Sequence, residues 1–180
     1  MPTSCRFPLR RLLPAGALGL LAAVVSACSP LGAIDAVTAY DAGAAKVGSD
    51  VAYGPHPRQR LDVYAPTAPT PTGGAQHPVV VFVYGGSWAS GGRRHYGFLG
   101  HALAARGFVT VIPDYRLVPE VTYPAFVEDA AAAVRWARAN AAAYGGDPDR
   151  LAVAGHSAGA YNALMLASDP KYTDPDSPDH

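Results

Sequence analysis

The sequence predicts an α/β protein with a mostly parallel sheet and crossover helices. Two observations carry this expectation. Three apolar runs of strand length recur along the chain, and helix-period segments follow them in strict alternation. Strands buried on both faces of a parallel sheet read as continuous apolar runs, and parallel neighbours need crossover connections.

Val51-Ala52-Tyr53 and Leu61-Asp62-Val63-Tyr64 come first, as two short strands around a Gly54-Pro55-His56-Pro57 turn. Residues 66–77 are rich in Pro and Thr and read as an exposed loop. The run Pro78 to Tyr84, bounded by Gly85-Gly86, predicts the first buried strand. Tyr96 to Arg106 predicts a helix stopped by Gly107, and Phe108 to Ile112 a second buried strand closed by Pro113. From Pro124 to Tyr144 the pattern is most strongly helical. Val127, Ala130, Ala131, Val134 and Ala137 share one face, and Gly145-Gly146 ends the helix. Leu151 to Ala154 predicts a third buried strand, and Ala158 to Ala167 the last helix.

Gly155-His156-Ser157-Ala158-Gly159 lies between that strand and that helix. A G-x-S-x-G motif has chemical meaning in this strand–turn–helix setting. Glycines relieve crowding in a sharp turn that leaves the Ser hydroxyl exposed at the carboxyl edge of the sheet. The plain alternative is a small-residue turn with a Ser that caps the helix. Tyr84-Gly85-Gly86-Ser87-Trp88 directly follows the first buried strand. Backbone N–H groups of Gly85, Gly86 or Ser87, together with that of Ala158, could surround an oxyanion formed at Ser157. A phosphate loop is excluded, because Gly91-Gly92-Arg93-Arg94 lacks the Gly-Lys-Ser/Thr ending of one.

Taken together, Val81–Trp88, Asp114-Tyr115-Arg116-Leu117, Tyr123-Pro124-Ala125-Phe126 and Gly146-Asp147-Pro148-Asp149-Arg150 resemble α/β-hydrolase esterases. The nearest groups are hormone-sensitive-lipase-like carboxylesterases and kynurenine-formamidase-like hydrolases. The resemblance spans about Leu61 to Ala167. It implies an α/β-hydrolase fold and hydrolysis of carboxylic esters or related acyl bonds, amides included, with Ser157 as nucleophile and no metal or organic cofactor. These families usually begin the oxyanion motif with His, where this chain has Tyr84, so altered loop packing is expected. In this fold the triad runs Ser, then Asp or Glu, then His. Only residues 158–180 follow Ser157, so the chain is expected to be the N-terminal part of the fold, with the triad Asp and His beyond it. His156 is expected to be structural. His56, His77, His95, His101 and His180 are not assigned as the base, and Asp114 is expected to be a structural acceptor. Two alternatives stay open: a truncated, inactive hydrolase fragment, and a surface binding module on the same scaffold.

The N-terminus suggests export. Arg6, Arg10 and Arg11 precede an uncharged apolar stretch from Leu12 to Val25 and the small residues Ser26-Ala27 before Cys28. Val25-Ser26-Ala27-Cys28 resembles the lipobox of bacterial lipoproteins, with Val where Leu is commoner. Cys28 is then the lipid attachment site, and an ordinary signal peptide is the alternative. The expected organisation is an export signal over 1–28, a linker over 29–50 and the hydrolase domain over 51–180. The protein is expected in the cell envelope by its lipid, or otherwise secreted or periplasmic. Lys plus Arg and Asp plus Glu number 14 each, which argues against a nucleic-acid partner. The expected partner is a small-molecule acyl ester or amide, with membrane contact only through Cys28.

Overall fold

A computed structural model describes residues 40–68 and 76–172. The expected export signal, Cys28, His180 and the first part of the expected linker lie outside these residues. Among the described residues five strands form one sheet: β1 (Ala44–Ala52), β2 (Arg60–Pro66), β3 (His77–Val83), β4 (Val109–Pro113) and β5 (Gly146–Gly155). Three α-helices accompany them among the described residues: α1 (Gly97–Ala104), α2 (Ala125–Asn140) and α3 (Ala158–Ser168). Every strand and helix expected between residues 51 and 167 is present.

The strand order is β1-β2-β4-β3-β5. β3 pairs parallel with both β4 and β5, as the alternating pattern predicts. β2 runs antiparallel to β1 and to β4, so the sheet is mixed and begins with a β1–β2 hairpin. β1 begins at Ala44, inside the stretch expected as a tether. This strand has no apolar alternation to reveal it. It pairs through its backbone at the sheet edge and exposes Lys46, Val47, Ser49 and Asp50.

β4 is buried at every position, and Val79, Val81 and Val83 of β3 are almost wholly enclosed. Both strands are covered on two faces, which explains their unbroken apolar character. β5 differs from the expected third buried strand. Leu151 and Val153 are half-buried against the core, while Ala152 and Ala154 are exposed. Among the described residues β5 is the edge strand beyond β3.

Two connections place the site. From β3 the chain passes through α1 to β4 on one side; from β4 it passes through α2 to β5 on the other side of β3. Crossovers are right-handed, so opposite lateral steps put α1 and α2 on opposite faces. α1 packs on β1, β2 and β4, whereas α2 and α3 pack on each other and on β3 and β5. The chain therefore leaves the carboxyl ends of β3 and β5 toward different faces, which opens a crevice between them.

Candidate active site

Ser157 stands at that crevice, on the turn from β5 into α3. Its backbone has φ +54° and ψ −119°, a region L-residues rarely occupy and one that costs about 1–3 kcal/mol. The turn persists because the surroundings fix it. The His156 N–H donates to the Val83 carbonyl at 3.1 Å, tying the elbow to β3. A Cβ on Gly159 would stand 2.0 Å from the Val83 carbonyl oxygen, and one on Gly155 would stand 2.3 Å from that of Gly159. The two motif glycines are thus required by close backbone approach. Ser157 is exposed and makes no side-chain hydrogen bond to the first turn of α3. The capping alternative therefore loses its support, and the hydroxyl is free for other work.

The loop after β3 folds directly against this turn. A Cβ on Gly85 would lie 2.7 Å from the His156 carbonyl oxygen and 2.9 Å from Ser157 Cβ. Gly86 has φ +138°, and Ser87 and Trp88 also have positive φ, at +54° and +56°. Two consecutive non-glycine residues in that region are uncommon, and such strain gathers at functional loops. The N–H groups of Ala89 and Ser90 both donate to the Gly86 carbonyl at 3.0 Å, and the Ser90 hydroxyl reaches the same oxygen. This turns the loop back on itself. Gly85 is buried and its N–H faces the Tyr96 hydroxyl, whose pKa burial pushes up against the pull of that N–H. Gly86 and Ser87 stand farther out, and Ala158 is the first residue of α3, where N–H groups lack helical partners.

Tyr84 replaces the expected His and is completely buried. Its ring stacks on those of Tyr115 and Tyr96, with centroids 4.8 and 5.8 Å away. Its carbonyl accepts the Tyr115 hydroxyl at 2.8 Å, and its hydroxyl accepts a guanidinium N–H of Arg58 at 3.1 Å. Burial first, and then the Asp114 carboxylate, hold the Tyr84 hydroxyl firmly protonated. The altered loop packing expected from this residue is an aromatic stack.

Asp114 is a structural acceptor, as expected. It takes the Arg93 backbone N–H at 2.7 Å and the Arg93 guanidinium. Arg93 is itself buried and also reaches Asp62 at 3.1 Å and Asp50. Sequence reasoning missed three further residues. Asn162, wholly buried in α3, accepts the Trp88 indole N–H at 3.0 Å and donates to the Phe126 carbonyl at 3.4 Å. A lone Asn within an apolar helix was the available signal. Buried Asp129 accepts Gln59 at 2.8 Å and a forked Arg116 at 2.8 and 2.9 Å, joining α2 to the segments after β1 and β4. Arg58 lay unnoticed in a turn read for its Gly and Pro alone.

The described histidines have other places. His56 pairs with Glu120 at 2.7 Å, His77 meets the Gly107 carbonyl at 3.1 Å, and His101 stacks on Tyr40. No described side chain is hydrogen-bonded to Ser157. Among the described residues no His, Cys, Asp and Glu group is arranged to hold a metal ion. An open cavity of about 450 Å³, lined by Pro55, His56, Pro57, Gln59 and Arg116, lies beside the β1–β2 turn and includes none of the elbow residues.

Comparison with known proteins finds esterases. The chain is 43% identical over 118 residues to a probable isoprenylcysteine alpha-carbonyl methylesterase of Oryza sativa subsp. japonica, covering 66% of this chain and 27% of that protein. It is 42% identical over 130 residues to the esterase LipC of Mycobacterium tuberculosis, covering 68% and 30%. Among solved structures, an esterase from Pyrobaculum calidifontis superposes with a TM-score of 0.61 at 32% identity, over 78% of this chain and 43% of that one. Esterase B of Lactobacillus rhamnosis, at 24% identity, shares the fold with a TM-score of 0.71 over 85% and 49%. The chain thus spans about a quarter to a third of these curated relatives and about half of these structures. Residues 61–177 match the BD-FAE family model. The chain belongs to this family, within the α/β-hydrolase esterases.

Proposed function

We propose that the protein is a serine hydrolase of carboxylic esters in which Ser157 is the nucleophile. The observation that carries this reading is the close seating of Gly85 against Ser157, which brings the 84–91 loop and the exposed Ser together at the head of α3. Ser157 Oγ attacks the acyl carbonyl while its proton passes to a base. Negative charge then develops on the carbonyl oxygen, where the N–H groups of Gly86, Ser87 and Ala158 stabilise it, with the N-terminus of α3 adding its dipole. Collapse expels the alcohol, which takes up the proton, and water releases the acid from the acyl-enzyme by the same steps in reverse. Removing one oxyanion-hole donor costs about 3–4 kcal/mol in such reactions. The base and its carboxylate partner come from outside the described residues, since every described His but His95 and His156 is engaged elsewhere, and neither of these bonds Ser157.

Hydrolysis of a short-chain nitrophenyl ester by the full chain and by Ser157→Ala tests this. Ser157-dependent turnover is expected once the base is present, and turnover that survives Ser157→Ala would refute the assignment. Relatives are named esterases, which supports a small-molecule ester as substrate. We also propose export with lipid attachment at Cys28. Loss of membrane partitioning in Cys28→Ser is the expected result, and unchanged partitioning would refute it.

A further inference from the structure

We propose that Arg58 is the positioning residue of the oxyanion loop, holding its two ends together across the sheet. This rests on the reading of that loop given above. One guanidinium touches both ends of the 84–91 loop: Nη2 donates to the Tyr84 hydroxyl at 3.1 Å and to the Gly91 carbonyl at 2.8 Å. Its Nε donates to the Tyr115 carbonyl at 2.7 Å, and the Tyr115 hydroxyl in turn donates to the Tyr84 carbonyl at 2.8 Å. Three segments distant in sequence are thereby joined at one side chain. A planar fork of five N–H donors can serve three acceptors in fixed directions, which the single point of an ammonium cannot.

The loop needs such a clasp. It contains three consecutive residues with positive φ, Gly86, Ser87 and Trp88, and its internal hydrogen bonds converge on the Gly86 carbonyl alone. Its far end meets its near end tightly, since a Cβ on Gly91 would lie 2.7 Å from the Gly85 carbonyl oxygen and 3.0 Å from the Tyr84 ring. Trp88 is fixed on the other side by Asn162, so the return of the loop at Gly91 toward the anchored Tyr84 is what remains to be held. Arg58 is braced in turn. Its backbone N–H donates to His56 Nδ1 at 3.1 Å, while His56 Nε2 meets Glu120 at 2.7 Å. A Tyr at position 84 suits this arrangement, because a protonated phenol can accept from Arg58 while it faces Asp114.

The test compares the full chain with Arg58→Ala, Arg58→Lys and Tyr84→Phe by amide exchange and ester hydrolysis. Exchange is read at Ala89 and Ser90, whose N–H groups bond to Gly86. Arg58→Ala should speed it at least tenfold while the β3–β4 ladder amides stay as they are. It should also lower kcat about tenfold or more, with KM changed less than twofold. Lys should restore little of either, and Tyr84→Phe, which loses one of the three acceptors, should give a smaller effect of the same kind. Tyr84→Phe decides the matter if Arg58→Ala does not fold. Unchanged loop exchange would overturn the proposal, as would ladder amides accelerating in parallel with the loop or full recovery by Lys. If hydrolysis is absent, the exchange result alone decides the clasp, and if it persists in Ser157→Ala the hydrolase reading fails while the exchange result still decides the clasp.

Discussion

Replacing Gly159 by Ala tests the elbow through a single methyl group. Its Cβ would stand 2.0 Å from the Val83 carbonyl oxygen and 2.5 Å from that of Tyr84, and both obstacles are backbone. Real Cβ atoms stay beyond 3.0 Å, so α3 and the end of β3 must part by about 1 Å. Overpacking of this kind costs about 1–3 kcal/mol, and the upper end applies because no flexible side chain can yield. For a domain of this size that lowers Tm by about 6–12 °C. A displacement of about 1 Å at a catalytic group also costs about a hundredfold in rate. Thermal unfolding and ester hydrolysis measure the two effects. Gly92→Ala serves as the control, since Gly92 has extended backbone and its Cβ would meet only Asp114 Oδ1, at 3.7 Å. A Gly159→Ala protein that melts within a degree or two of the wild type and keeps its activity would refute the close-approach account of the elbow.

Asn162→Ala should destabilise by about 1–3 kcal/mol in chemical denaturation, because it leaves the Trp88 indole N–H without its acceptor; Trp fluorescence should report the same change. Asp129→Ala removes the acceptor shared by Gln59 and Arg116. It should cost about 2 kcal/mol, less than the about 3–5 kcal/mol of a fully buried pair, because Arg116 is partly exposed and can turn to water. Burial pushes the Asp62 carboxyl up, but the Asp50 N–H, Lys46 and Arg93 outweigh it and hold its pKa below the ordinary range. A depressed folded pKa stabilises above the unfolded value, about 3.9, and the gain is lost as pH falls through the folded value. Asp62→Asn should therefore be less stable than wild type at pH 7, and urea midpoints should converge below about pH 4.

The parallel part of the sheet was legible because burial on both faces leaves an unmistakable apolar run, as in Val79–Val83 and Val109–Ile112. Ser157 and the glycines beside it were legible for a related reason. A turn that tolerates no Cβ restricts composition so sharply that the residues advertise the geometry. β1 was illegible before Val51 because an edge strand is held by backbone pairing, which any side chain permits. β5 misled for the opposite reason: its apolar residues resemble a buried strand, yet Ala152 and Ala154 face solvent among the described residues. Arg58, Asp129 and Asn162 could not be found from spacing. Their partners lie 13 to 74 residues away in sequence, and only the folded sheet brings them together.

These long-range contacts share a direction. Val83 accepts from His156, Trp88 donates to Asn162, and Arg58 reaches Tyr84 and Gly91, so each joins the carboxyl end of β3 to another element. The crevice between β3 and β5 is set by topology, which gives a place without giving precision. Precision of a few tenths of an ångström requires rigid supports from more than one side. The elbow glycines supply one side by contact, and the buried polar side chains supply the others by directed hydrogen bonds. Substituting an elbow glycine should therefore disturb Ser157 itself, whereas substituting Arg58 or Asn162 should leave the elbow standing and loosen only the donors that face it.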